Sequence, residues 1–153
     1  MTPAELVQTL SLEIKKAVMD LKLRTEYEQV PSEEDFVAVN VFAQSIPKNL
    51  FEETSYLPFV TVELLSVEDD KEGSIAQIGL SFATFGLEED GWLDLFHLME
   101  VTRQRLLTKR LIGNRFRLQS AHWEPIPSDN QPAPFQYGAA TLSYQIFQPQ
   151  ERI

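Results

Sequence analysis

From Ser74 the chain reads S-I-A-Q-I-G-L-S-F-A, so that Ala76, Ile78, Leu80 and Phe82 fall on one side of an extended backbone and Gln77, Gly79, Ser81 and Ala83 on the other. A period of two cannot be laid on a helix, so the segment must be a β-strand with one face in a core and a small, partly polar face turned away. The same period precedes it in Phe59 to Ser66, where Val60, Val62 and Leu64 oppose Thr61 and Glu63. It returns in a last strand from Tyr137 to Phe147, where Ala140, Leu142, Tyr144 and Ile146 oppose Thr141, Ser143 and Gln145. Glu68-Asp69-Asp70-Lys71-Glu72-Gly73 forms a charged turn between the first two strands, which therefore pair as a hairpin.

Helical signals flank this pattern. Thr2-Pro3-Ala4-Glu5 reads as a capping box with proline at the first helical position, and Leu6, Leu10, Ile14, Ala17, Val18 and Leu21 then recur at helical spacing, which predicts a helix from 3 to about 23. A second helix is expected after the acidic run Glu88-Glu89-Asp90, with Trp92, Leu95, Phe96, Met99 and Leu106 as its apolar stripe, basic residues in its last turns, and Gly113-Asn114 as its left-handed stop. Residues 36–43 read as a further strand and Arg115–Trp123 as another, with Phe116, Leu118 and Ser120 inward and Arg115, Arg117 and Gln119 outward. Thr25 to Asp35 reads as a connector, Ile46 to Tyr56 as irregular with one short helical turn, and prolines 125, 127, 132 and 134 as a rigid extended link. This order predicts an α+β fold in one domain, residues 1–153: a mainly antiparallel four- to five-stranded sheet with two helices on one face.

A chain of 153 residues can bury roughly two thirds of its unfolded surface, enough for a single core. The net charge of −10 disfavours a surface that must neutralise nucleic-acid phosphates. With no cysteine and two histidines, thiolate and His-rich metal sites are excluded. No secretory signal is visible and no apolar run approaches the roughly 18 residues of a membrane span, so the expectation is a soluble chain made in the cytoplasm, without membrane contact.

No polar cluster follows a catalytic or cofactor motif. His97 and His122 match no metal or triad spacing, and the serines lack a nucleophile elbow. Glu68, Asp69, Asp70 and Glu72 lack the alternating order of a calcium loop and read as a solvated hairpin tip. The expectation is no enzyme, no cofactor and no metal. One feature exceeds what a free sheet needs: Thr61, Gln77, Gly79, Ser81, Ala83, Gln119, Thr141, Ser143 and Gln145 form an uncharged, hydrogen-bonding outward face suited to packing against another copy.

The order PFVTVEL, VEDDKEGS, GLSFATFG, GWLDLFHLMEVTRQRLL, IGNRFRL, HWEP, QPAPFQYG and ATLSYQI, covering about the last 90 residues, resembles the tail terminator (tail-to-head joining, tail completion) proteins of long-tailed bacteriophages and prophages. Two departures are the FQYG after the Q-P-x-P segment, where another aromatic is expected, and a short acidic turn. The resemblance implies a structural subunit that forms a ring, hexameric in the family, on the completed tail tube, ends tube polymerisation and joins the tail to the head connector. The implied partners are further copies of the chain, the tail tube protein and the head-tail connector protein, with DNA only passing through the lumen. The implied location is the virion. Candidates for subunit or tail-tube contact are Glu68, Asp69, Asp70, Lys71, Glu72, Gln77, Ser81, Arg115, Arg117, Gln131, Phe135 and Tyr137. Alternatives are a phage head-completion or neck protein, a small-ligand binding module with a pocket between sheet and helices, and a hydrolase built on Glu63 or His122.

Overall fold

The computed structural model describes residues 2–24, 36–46, 58–86, 91–126 and 135–147. Helix α1 (Pro3–Val18) begins as its sequence dictates. The Thr2 hydroxyl accepts from the Glu5 N–H and the Glu5 carboxylate accepts from the Thr2 N–H, both at 3.1 Å. This reciprocal pair satisfies donors that the first helical turn cannot. The helix ends earlier than its periodicity suggests, because Lys22–Arg24 leave it as a short strand, β1, paired antiparallel with β2 (Phe36–Ala38).

The main sheet has six strands in the order β3-β4-β5-β8-β7-β6, where β3 is Asn40–Ala43, β4 Phe59–Asp69, β5 Ser74–Phe85, β6 Leu111–Ile112, β7 Phe116–Pro125 and β8 Phe135–Ile146. The sheet is mixed rather than antiparallel throughout, since β3 runs parallel to β4. The single strand expected over 36–43 is two strands serving two sheets, β2 in the small one and β3 in the large one. Alternation alone could not show that break, because Val39 interrupts the pairing without interrupting the apolar pattern.

The long hairpin β4–β5 and the β5–β8 pair carry the most extensive pairing, with Val60, Val62, Ala76, Ile78, Leu80, Phe82, Ala140, Leu142, Tyr144 and Ile146 buried on one face as their alternation requires. Helix α2 (Trp92–Thr108) and α1 pack against each other on that face, α1 over β3 and β4 and α2 over β5, β7 and β8. One continuous apolar core joins both helices to the sheet.

Three expectations for the second half are corrected. The buried stripe of α2 is Leu95, Leu98, Met99, Thr102 and Leu106. Trp92 and Phe96 lie about 60–100° round the helix from that line, 46% and 45% exposed, with their rings stacked edge to face at 5.1 Å. Gly113 and Asn114 do not stop the helix, which has already ended at Thr108. Both have positive φ, 58° and 56°, and they make the tight turn from β6 into β7, where the Arg115 N–H donates to the Ile112 carbonyl at 3.2 Å. A bulge between Leu118 and Ser120 reverses the expected phase of β7: Ser120 becomes exposed, and Ala121 and Trp123 turn to the core side. The expected 25–35 connector, the helical turn near 49–53, the acidic 88–90 cap and the link through prolines 127, 132 and 134 lie outside the described residues.

Candidate assembly surfaces

Glu68 and Asp69 still belong to β4, opposite Ile75 and Ser74, so the turn proper is only Asp70 to Gly73. It is tightly built. The Asp70 carboxylate accepts from the backbone N–H groups of Glu72 (2.7 Å) and Gly73 (3.0 Å), and the Asp70 N–H donates to the Gly73 carbonyl at 2.9 Å. Gly73 holds φ at +153°, which glycine adopts without the strain a Cβ would bring. The Ser74 hydroxyl donates to Asp69. The result is an ordered tip that presents Glu68, Asp70, Lys71 and Glu72 to solvent.

The sheet face away from the helices is arranged in rows that follow the register. Across β4, β5, β8 and β7 these rows are Thr61, Ser81, Ala139 and Glu124; then Glu63, Gly79, Thr141 and His122; then Ser66, Gln77, Ser143 and Ser120; then Glu68, Ile75, Gln145 and Arg117. The centre of this face is uncharged and internally bonded: the Ser143 hydroxyl donates to Gln77 Oε1 at 2.9 Å, and Gln119 Nε2 donates to Gln145 Oε1 at 3.1 Å. On this face charge is confined to β4, with Glu63 and Glu68, and to β7, with Arg117 and Glu124. Leu65, the extra residue of a bulge in β4, is 55% exposed and lies over Gly79, where an added Cβ would approach its Cδ atoms to 3.2 Å.

The sequence-derived contact residues do not form one site. Glu68 to Glu72, Gln77 and Arg117 gather at the turn end of the sheet, with Arg115 beside it in the exposed β6–β7 turn, 3.9 Å from the Glu5 carboxylate. Ser81 lies midway. Phe135 and Tyr137 open β8 at the far end, roughly 35 Å away along the strand. There they join an apolar cluster on the outward face with Phe42, Ile46, Phe59 and Ala83, and the Phe135 ring lies 6.2 Å from Phe85 and 6.4 Å from Tyr137. The sequence did signal this cluster, in aromatics at outward positions of three strands, but only the register shows that they meet. Gln131 lies outside the described residues.

A different feature went unnoticed in the sequence. Glu13, on the buried side of α1 with a side chain only 6% exposed, receives Arg105 Nε at 3.2 Å and Nη2 at 2.9 Å from α2 and, from the residue that caps α2, Lys109 Nζ at 2.9 Å. Burial pushes its carboxyl up, but the hydrogen bonds and charges of Lys109 and Arg105 outweigh that and hold it below the ordinary value. Near it the Tyr144 hydroxyl is buried without a hydrogen-bond partner, its pKa raised by burial and by the Glu13 charge.

Three hollows are outlined by the described residues, each between a helix and a lateral strand: one of 310 Å³ by α1, Gln44 and Leu64, and two along α2 and β7 of 390 and 150 Å³. Glu63 and His122, the pair a hydrolase reading would use, stand in one row three strand spacings apart, about 14 Å. His122 is instead 3.0 Å from Glu124, and exposed with it. Among the described residues no group of three or more histidine or acidic side chains is placed to hold a metal ion, and no helix is long and apolar enough to cross a membrane.

No family model and no curated protein matches this sequence. Among solved structures the chain is similar, over 94% of its own length and 95% of the other's, to a chain from the virion of a native gene transfer agent particle, with a TM-score of 0.42 and 9% identity.

Proposed function

We propose that this chain is a structural subunit of a phage or prophage tail that assembles as a ring on the tail tube, ends its polymerisation and meets the head connector. The reading is supported by the ordered resemblance of the last 90 residues to tail terminator proteins. The structural observation that carries it is the open sheet face. Its centre is uncharged, self-bonded through Gln77, Ser143, Gln119 and Gln145 and topped by the exposed Leu65, whereas charge is pushed outward to β4 and β7. A face that only met water would gain nothing from that segregation, whereas a face packed in an assembly avoids burying unpaired charge. A net charge of −10 per copy gives a ring whose field repels passing DNA rather than holding it.

The proposed role is non-enzymatic and needs no cofactor. The test is to add the purified chain to growing tail tubes of its own phage and to image the products by electron microscopy. Tubes of restricted length capped by a ring are expected. Tubes that grow unchanged, with no ring on either end, would exclude the role. A gene for the major tail protein is expected immediately downstream, and a metabolic operon there counts against the reading.

A further inference from the structure

Strand β6 accompanies only the start of β7: Leu111 and Ile112 pair with Arg117 and Phe116, and the Leu118 N–H donates to the Arg110 carbonyl at 2.8 Å. From Gln119 onward no described strand borders that side of β7, and the flank of α2 stands over it. Between them runs a groove. Its larger part, 390 Å³, presents Arg103, Arg110, Gln119 and Ser120, and it shares Arg103 and Trp123 with the 150 Å³ hollow under Phe96. Arg110 has no ion-pair partner among the described residues, and Arg103 has only Glu100 on its own helix, an exposed pair. Glu100 also lines the smaller hollow, but Arg110 and the outer side of Arg103, beside Trp123, remain able to receive carboxylates.

We propose that this groove receives the acidic β4–β5 hairpin of a second copy of the chain, so that copies join head to tail. The inference rests on the assembly reading above and names the contact that would build the ring. The hairpin is complementary in charge, carrying Glu68, Asp70 and Glu72 at its exposed end. Its turn is already ordered by the Asp70 bonds, so little conformational entropy remains to be lost on docking. It is also laterally accessible: β3 ends opposite Val62, and beyond that point no described strand flanks β4. Within one molecule β8 stands between the hairpin and β7, which sets the hairpin apart from the groove on the far side of β7. A two-fold contact would need each copy's hairpin and groove to face the same interface, but the two lie on opposite lateral sides of one sheet. A heterologous contact between different surfaces repeats from copy to copy, and a ring follows when the rotation closes.

The absence of cysteine permits an unambiguous test. Glu72→Cys and Arg110→Cys, both at exposed positions, are made together in one chain and separately in two. Under mild oxidation the double variant is expected to give a ladder of covalent oligomers, and an equimolar mixture of the two single variants to give heterodimers and nothing larger. Adding Arg103→Glu to the double variant is expected to cut the ladder by about tenfold or more, and adding Glu68→Arg as well to restore it. No ladder, or homodimers of one single variant forming as readily as the heterodimer, overturns the proposal. The two readings fail separately. Rings formed on tail tubes by an R103E/R110E chain would refute the hairpin contact and leave tail capping standing; a normal ladder from a chain that never caps tubes would keep the contact and refute tail capping.

Discussion

Replacing Glu13 with glutamine tests how the two helices are held together. The substitution keeps the shape and one acceptor but removes the charge that receives three hydrogen bonds from Arg105 and Lys109. A buried carboxylate bonded by two cations would cost several kcal/mol to disrupt if all three groups were buried. Here the cations are 36% and 47% exposed and can return to water, which reduces the expected loss to about 1–2 kcal/mol. A chain of 153 residues loses about 0.3 kcal/mol of stability per degree near its midpoint, so Tm should fall by about 3–6 °C at pH 7. The folded pKa of Glu13 is depressed, so its contribution is present above the ordinary value of 4.5 and is lost as pH falls through the lower folded value. Calorimetry at pH 7 and at about pH 2.5 should therefore show the gap between wild type and E13Q closing at the acidic end. Equal stability at pH 7, or a gap of the same size at both pH values, would refute the ionic account of the helix contact.

Removing the Tyr144 hydroxyl should not destabilise the protein, since it is buried without a partner; Y144F is expected to match wild type or exceed it by up to about 1 kcal/mol in urea denaturation. Because the Tyr144 pKa is raised in the folded state, wild type should also lose stability as pH rises past about 10, and Y144F should lose less over that range in the same measurement. Gly86→Ala is expected to cost about 2 kcal/mol or more, because the new Cβ would stand 2.5 Å from the Gly91 Cα, where backbone meets backbone and neither can turn aside; a Tm unchanged from wild type would contradict this contact. Gly138→Ala meets the Met99 sulfur at 2.5 Å instead, a flexible side chain that can move, so a smaller loss of about 1 kcal/mol is expected from the same assay.

The sequence by itself determined what each long element does with its two sides. Period-two alternation assigned the core-side faces of β4, β5 and β8, although the outward Thr61 and Ala83 are buried as well at the end where the aromatic cluster lies, and the Thr2–Glu5 box started α1 where the structure starts it. These are local properties, set by backbone geometry within a few residues. The tertiary structure decided everything that depends on distant neighbours: the parallel entry of β3, the diversion of Lys22–Arg24 into a second sheet, and the bulge that turns Ser120 outward and Trp123 inward. It also separated the contact residues into an acidic hairpin end and an aromatic far end, and laid Arg103 and Arg110 along an open strand. A run of residues fixes which way a side chain points, but lateral strand order is fixed by long-range pairing and core closure, and those place an acidic tip and a basic groove on opposite sides of one sheet.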